Sequence, residues 1–439
     1  MHHLRGFTPQ SSLQALHTPA PPHPCGTLES MAANLAPTVV PVAGIAQLRG
    51  VRECLQWFTR EKQWINEIQL ELCRIPAATF LEQQRAEWMA AQLRGFGWKS
   101  QIDRAGNVVA FANEKPRGPY VALTAHLDTV LAPRTRDDIT VGPDGNLHGP
   151  GVSDNGAGLA AMLAIARAMK ASPEIEDLHA EPVLIGNVGE EGEGNLTGMR
   201  WLCKSELARE IAAFLVLDGA STEHITTRAL GSRRFEITIT GPGGHSWSDY
   251  GVGNPVHALG RAVALFSEAK VDGSPRSSLN VGLIDGGTSI NSIPALARAK
   301  VDIRSESNEK MDELVALLNA AVERAQEQEN QRSTGGKVTA KIKEIGSRPA
   351  AELDQQTPML SYIRAVDAYL GIRSRLDCSS TDANIPLSLG IPAISIGTGG
   401  QGGGAHTAKE WYNPDGRDLG LKRIFLTLSL LLRDPRTAE

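Results

Sequence analysis

The stretch PYVALTAHLDTV, Pro119–Val130, is a run of apolar and β-favouring residues that closes on His126, Leu127 and Asp128. This is the pattern of a buried strand that delivers two polar side chains at its carboxyl end. Side chains alternate along a strand, so His126 and Asp128 project to the same side. There a carboxylate can hold an imidazole by one nitrogen while the other nitrogen binds a metal.

Working outward, the flanking sequence repeats the pattern. Upstream, apolar residues recur at helical spacing from Val51 to Trp98, broken at Pro76, and a short strand follows near Asn107–Ala112. Downstream, the Gly-rich GPGVSDNGAG, Gly149–Gly158, runs into a helix. The apolar run Pro182–Val188 then ends on Gly189, Glu190, Glu191 and Gly192, and Ala212–Leu217 ends on Asp218 and Gly219. Strands alternating with helices predict an α/β fold with a doubly wound, mostly parallel sheet, whose crevice lies beyond the strands' carboxyl ends. All of these acidic residues fall there.

At about Gly231 the texture changes to alternating half-exposed strands, FEITITGPGGHSW first, with helices near Asn254–Ala269 and Glu309–Gln328. An inserted α+β domain with an antiparallel sheet accounts for this. The polar QEQENQRSTGG, Gln326–Gly336, reads as a turn within it. The expected organisation is an extension over 1–50, the first part of a catalytic domain over 51–230, a lid or dimerisation domain over 231–345, and the rest of the catalytic domain over 346–439.

A chain of 439 residues exceeds one ordinary core, in keeping with two domains. A net charge of −5 gives no basic footprint for nucleic acid, and no apolar run reaches the length of a membrane span. Five scattered cysteines without a Cys-x-x-Cys pair suggest neither a disulfide framework nor a thiolate zinc site, and point to a reducing, cytoplasmic setting. The Pro-rich stretch 1–50 has no continuous apolar core of a secretory signal and reads as a disordered extension, with Met31 as an alternative start.

The candidate cluster is therefore His126, Asp128, Asp154, Glu190, Glu191, Asp218 and His406, the last from the AHT that follows a Gly-rich run. Singly, each has an ordinary explanation as a cap, a turn or a solvated group. Together, so many carboxylates in one crevice would repel each other unless cations neutralise them. Two histidines among acidic ligands suit zinc, or cobalt and manganese in its place.

The order HLD, GVSDNGAG, GEEG, DG and AHT resembles the co-catalytic dizinc peptidase and deacylase family that includes peptidase T, the glutamate carboxypeptidases, aminoacylase and acetylornithine deacetylase. The similarity runs from about Val51 to the C-terminus. It implies two Zn2+ ions held by His126, Asp154, Glu191, Asp218 and His406, with Asp154 bridging, Asp128 orienting His126 and Glu190 as general base. It also implies a lid that forms a homodimer. His245, in GPGGHSW, would reach the partner's site and stabilise the oxyanion, while Asn291 and Arg304 contact substrate. The expected activity is exopeptidase cleavage of short peptides. An N-acyl-amino-acid amidohydrolase is the nearest alternative, and a catalytically silent binding protein on the same fold a more distant one. Asp218 followed by Gly leans towards the aminopeptidase and tripeptidase side of the family, whereas GPGGHSW leans towards the deacylases. The Gly-rich Gly397–Ala405 is expected to shape the pocket for a substrate end group through its backbone amides.

Overall fold

A computed structural model describes residues 42–173, 175–271 and 273–438. The strand that carries HLD, Tyr120–His126, is fully buried and sits near the middle of the larger sheet. From one edge that sheet runs through Lys99–Ile102, Val108–Phe111, Glu181–Asn187, Tyr120–His126, Ile211–Leu217, Ala393–Ile396, His224–Ala229 and Ala351–Glu352, and Arg375–Ser379 also pairs with His224–Ala229. The four central members, from Glu181–Asn187 to Ala393–Ile396, are parallel, and antiparallel strands close both edges. Helices that include Arg49–Arg60, Gly156–Ala171 and Arg417–Leu432 contribute to the core around this sheet. Burial on both faces explains why the central strands read as continuous apolar runs rather than alternating ones.

The insert builds a second core. Its four strands, in the order Ser277–Gly286, Leu296–Ser305, Gly231–Thr240 and Thr339–Arg348, are all antiparallel. Alternate residues Phe235, Ile237 and Ile239, with Ala297, Ala299, Val301 and Ile303, pack under the helices Pro255–Ser267 and Asn308–Arg332. The period of two in FEITITG is the imprint of this one-sided burial. Among the described residues, no helix is long and apolar enough to cross a membrane.

Three boundaries differ from the sequence reading. Residues 1–41 of the expected extension lie outside the described residues, but 42–50 are ordered: a helix spans Val42–Gln47 and puts Ile45 and Ala46 into the main core. The region 51–98, read as one helical stretch on either side of Pro76, holds three helices, because Arg49–Arg60 and Lys62–Cys73 are separate and Gln83–Gly95 follows. The expected turn over 326–336 is helical as far as Arg332. Glu329 is fully buried there, with Arg261 at 2.5 Å, Arg332 at 3.1 Å and the Asn254 amide at 2.8 Å. These partners satisfy a charge that looks solvated in the sequence alone.

Candidate dinuclear metal site

The ends of the parallel strands and the turns beyond them bring the predicted groups together. His126 closes its strand, Asp218 directly follows Ile211–Leu217, and Glu190 and Glu191 lie just beyond Glu181–Asn187. Asp154 comes from the turn before Gly156–Ala171. His406 stands at φ 66°, in the left-handed region that residues with a Cβ rarely adopt.

Asp154 is the hub. Its Oδ1 lies 3.1 Å from His126 Nε2 and its Oδ2 3.1 Å from His406 Nε2, so each carboxylate oxygen faces one imidazole. His406 Nε2 is also 3.1 Å from Glu191 Oε1. Ligand atoms of His126, Asp154 and Asp218 form one group lying within 4.8 Å of one another, and those of Asp154, Glu191 and His406 form a second. Two oxygen- and nitrogen-donor sets sharing one carboxylate fit a pair of divalent cations.

The charges confirm the crowding. Burial works against a charge on His126, yet the carboxylates of Asp128 and Asp154 beside it raise its pKa well above the ordinary value. Burial alone would raise Asp154, but hydrogen bonds to His126 and His406 hold it well below the usual carboxylate range. Burial pushes Glu191 up to about 7, and burial together with the charge of Asp154 raises Asp218 strongly. The hydrogen bond to Asp154 lifts His406 to about 9 against partial burial.

Asp128 has a wider role than the strand alternation implied. The nearest group to His126 Nδ1 is the main-chain oxygen of Asp128 at 3.0 Å, with the carboxylate at 3.5 Å. The carboxylate accepts the amides of Glu190 at 3.0 Å and Glu191 at 2.9 Å, and the Thr79 hydroxyl at 3.0 Å. One buried group thus fixes the turn that carries both glutamates. Gly189 and Gly192, at φ 68° and 50°, bound that turn and allow it to reverse sharply.

Sequence reasoning missed three neighbours. Glu410 accepts the amides of Gly151, Ser153 and Asp154 at 2.7–2.8 Å and so clamps the Asp154 turn. Arg348, at the end of the insert's last strand, donates to Glu190 Oε1 at 2.9 Å, to the Glu190 carbonyl and to Ser380 Oγ at 3.0 Å. Asp382 is buried beside Asn187, whose Nδ2 donates to it at 2.6 Å, and burial with the nearby Glu190 charge raises its pKa to about 7. The only sequence signal among these is the spacing of Glu410, four residues after His406.

The three lid residues stand apart from this cluster in the single chain. His245 is exposed and pairs in register with Ser292, and the main-chain oxygen of Asn291 accepts the Ser246 amide at 3.0 Å. Arg304 lines a separate cavity of about 330 Å3 with Arg228 and Arg276, and its Nε lies 2.7 Å from Asp302. Among the described residues, no hydrogen bond or ion pair joins any of the three to the residues around Asp154.

The mostly parallel sheet thus gathers two imidazoles and a crowd of carboxylates beyond its carboxyl ends, an arrangement suited to a pair of divalent cations. The comparisons agree. Residues 228–330 match the model of the peptidase dimerisation domain, and residues 107–250 match that of peptidase family M28. Succinyl-diaminopimelate desuccinylase 2 of Ruegeria sp. (strain TM1040) is 30% identical over 262 residues, 54% of this chain and 64% of that protein, so the match spans less than two thirds of that relative. A tripeptidase from Staphylococcus aureus superposes with a TM-score of 0.68 at 20% identity, covering 86% of this chain and 98% of that one. The Bacillus subtilis YXEP protein, a dinuclear metal binding peptidase from the M20 family, gives a TM-score of 0.60 at 16% identity over 86% and 99%. The chain is thus similar in fold to dinuclear-metal peptidases and, over part of its length, in sequence to a deacylase.

Proposed function

We propose that the protein is a zinc-dependent exopeptidase that cleaves short peptides, of dipeptidase or tripeptidase type. The observation that carries this is Asp154, which turns one oxygen to His126 and the other to His406, with Asp218 and Glu191 completing the two groups. In this reading His126, Asp154 and Asp218 hold one ion, and Asp154, Glu191 and His406 the other. The bound pair supplies water acidified to about neutral pKa and positive charge for the carbonyl oxygen.

The chain's own residues do the rest. Glu190 takes the proton from the attacking water and delivers it to the leaving amine, a role worth about 10²–10⁴-fold. Arg348 holds one Glu190 oxygen and leaves the second for the water, while Asp128 keeps the Glu190 and Glu191 backbone in place. His245 of a second copy, joined through the lid, stabilises the oxyanion. Asn291 and Arg304 contact the substrate, the arginine as a fork on its carboxylate. We place the protein in the cytoplasm as a homodimer.

The similarity to a desuccinylase supports a second reading, hydrolysis of N-acyl amino acids at the same centre. Assaying the zinc-loaded protein on di- and tripeptides beside N-acetyl and N-succinyl amino acids decides between the two. Turnover of peptides is the expected result, and turnover of acyl amino acids alone would reject it.

A further inference from the structure

The insert's last strand, Thr339–Arg348, still pairs with Gly231–Thr240 at Ser347 and Arg348, yet both residues are gripped by the segment that carries Glu190. Arg348, 5% exposed, donates to Glu190 Oε1 at 2.9 Å and to the Glu190 carbonyl. Its predecessor is held a few residues further along the same segment. The Ser347 amide donates to Asn195 Oδ1 at 2.9 Å, and the Ser347 carbonyl accepts Arg200 Nη2. Arg200 Nε in turn donates to the Asn195 carbonyl at 2.9 Å, which closes the clamp. Among the described residues no carboxylate pairs with Arg200, so its fork serves two main-chain carbonyls, one on each side of the seam. Both peptide groups that flank Ser347 are thereby fixed, and the next side chain along is that of Arg348.

Two features set this clamp against local preference. Asn195 and Leu196 stand at φ 54° and 58°, consecutive left-handed residues that carry a Cβ. Such backbone persists where its surroundings over-determine it, and it gathers at functional sites. Burial, and then the charge of Arg348, lower the pKa of Arg200, so two guanidiniums are brought together against their repulsion.

We infer that Asn195 and Arg200 are positioning residues for the hydrolysis: by fixing Ser347 they keep Arg348 on Glu190, and so hold the base at the seam between lid and catalytic domain. The inference rests on the reading of Glu190 as the base for its link to turnover, but not for the clamp itself. A shift of about 1 Å in a reacting group can cost roughly 10²-fold in rate, which is the scale of effect a loosened clamp would have.

The test uses the zinc-loaded protein and a dipeptide or N-acyl amino acid that the wild type hydrolyses. Asn195→Gly removes the acceptor while tolerating the left-handed backbone, whereas Asn195→Asp keeps both. Arg200→Met removes the donors and keeps an apolar stem. Asn195→Gly and Arg200→Met are each expected to lower kcat by roughly 10- to 10²-fold, with zinc content kept and KM within about twofold. Asn195→Asp is expected to restore kcat. In an Arg348→Met background neither change should lower kcat further, because the contact they protect is already gone. Lys300→Met serves as the control: it removes a surface ion pair to Glu193 in the same turn and should change kcat by less than about twofold. Wild-type kcat in folded Asn195→Gly and Arg200→Met, full additivity with Arg348→Met, loss of zinc, or an equal fall in Lys300→Met would overturn the inference. Crystal structures of the two variants separate it from the reading of Glu190. Arg348 displaced from Glu190, in a protein whose Glu190→Gln variant stays active, would keep the clamp and reject the base. Arg348 unmoved on Glu190 would reject the clamp whatever the activity.

Discussion

Glu190 and Glu191 are neighbours in sequence with opposite assignments, and the structure separates their surroundings. Glu191 Oε1 faces His406 at 3.1 Å, whereas Glu190 Oε1 is held by Arg348 at 2.9 Å. Glu190→Gln is therefore expected to keep two zinc ions per chain while losing about 10²–10⁴-fold in kcat. Metal analysis beside steady-state kinetics checks this, and a variant that loses zinc would mean the two roles are reversed. Asp382 makes a second residue-scale prediction. Its folded pKa, raised by burial to about 7, lies above the roughly 3.9 of an unfolded chain, so the folded state binds the extra proton between these values. The stability of the metal-free protein should then fall as pH rises from about 4 to 7, since the unfolded state binds fewer protons in that window. Melting curves across the window should show the fall in wild type and a flatter profile in Asp382→Asn. Asn187 Oδ1 and Asp382 Oδ1 both lack partners, so the introduced amide has an acceptor available nearby.

Elements explain what was legible and what was not. The strands ending in HLD, GEEG and DG could be read because full burial makes apolar runs, and because a polar residue at the end of such a run stands out. Arg348 and Glu410 act on partners 158 and more than 250 residues away, so no local pattern announces them. The helix through Gln326–Arg332 was obscured likewise, since Glu329 is neutralised by Arg261 from another helix. Glu410 shows how elements are tied. The turn that carries His406 also sends this carboxylate to three amides of the Asp154 turn, so a ligand to each proposed ion is held through one residue. Replacing the anionic acceptor by an amide weakens all three bonds and loosens Asp154. Glu410→Gln should lower zinc affinity by about 10–100-fold, with Glu190 chemistry otherwise intact. Competition with a chelator measures it, and wild-type affinity would show the clamp to be unimportant.

On the scale of the whole molecule, no hydrogen bond or ion pair among the described residues joins the cluster around Asp154 to the lid residue His245, and the lid has an open strand edge for a second copy. Its outermost strand, Ser277–Gly286, leaves Leu283 and Ile284 each 62% exposed along an unpaired edge. Long apolar edges of this kind are usually covered. If a second copy covers it and His245 works across the interface, complementation has a definite arithmetic. Glu190→Gln and His245→Ala are each expected to be nearly inactive as homodimers. In a mixed dimer, one site has lost both groups, while the other combines Glu190 of one chain with His245 of its partner and is intact. Random reassortment makes about half of all dimers mixed, each with one working site of two, so activity should recover to about a quarter of wild type. If His245 instead served its own chain, every site in the mixture would carry one defect and no activity would return. Leu283→Lys with Ile284→Asp, which places charges on the edge, should give a monomer by light scattering and prevent that recovery. Recovery in a pair that stays dimeric would exclude this edge as the interface.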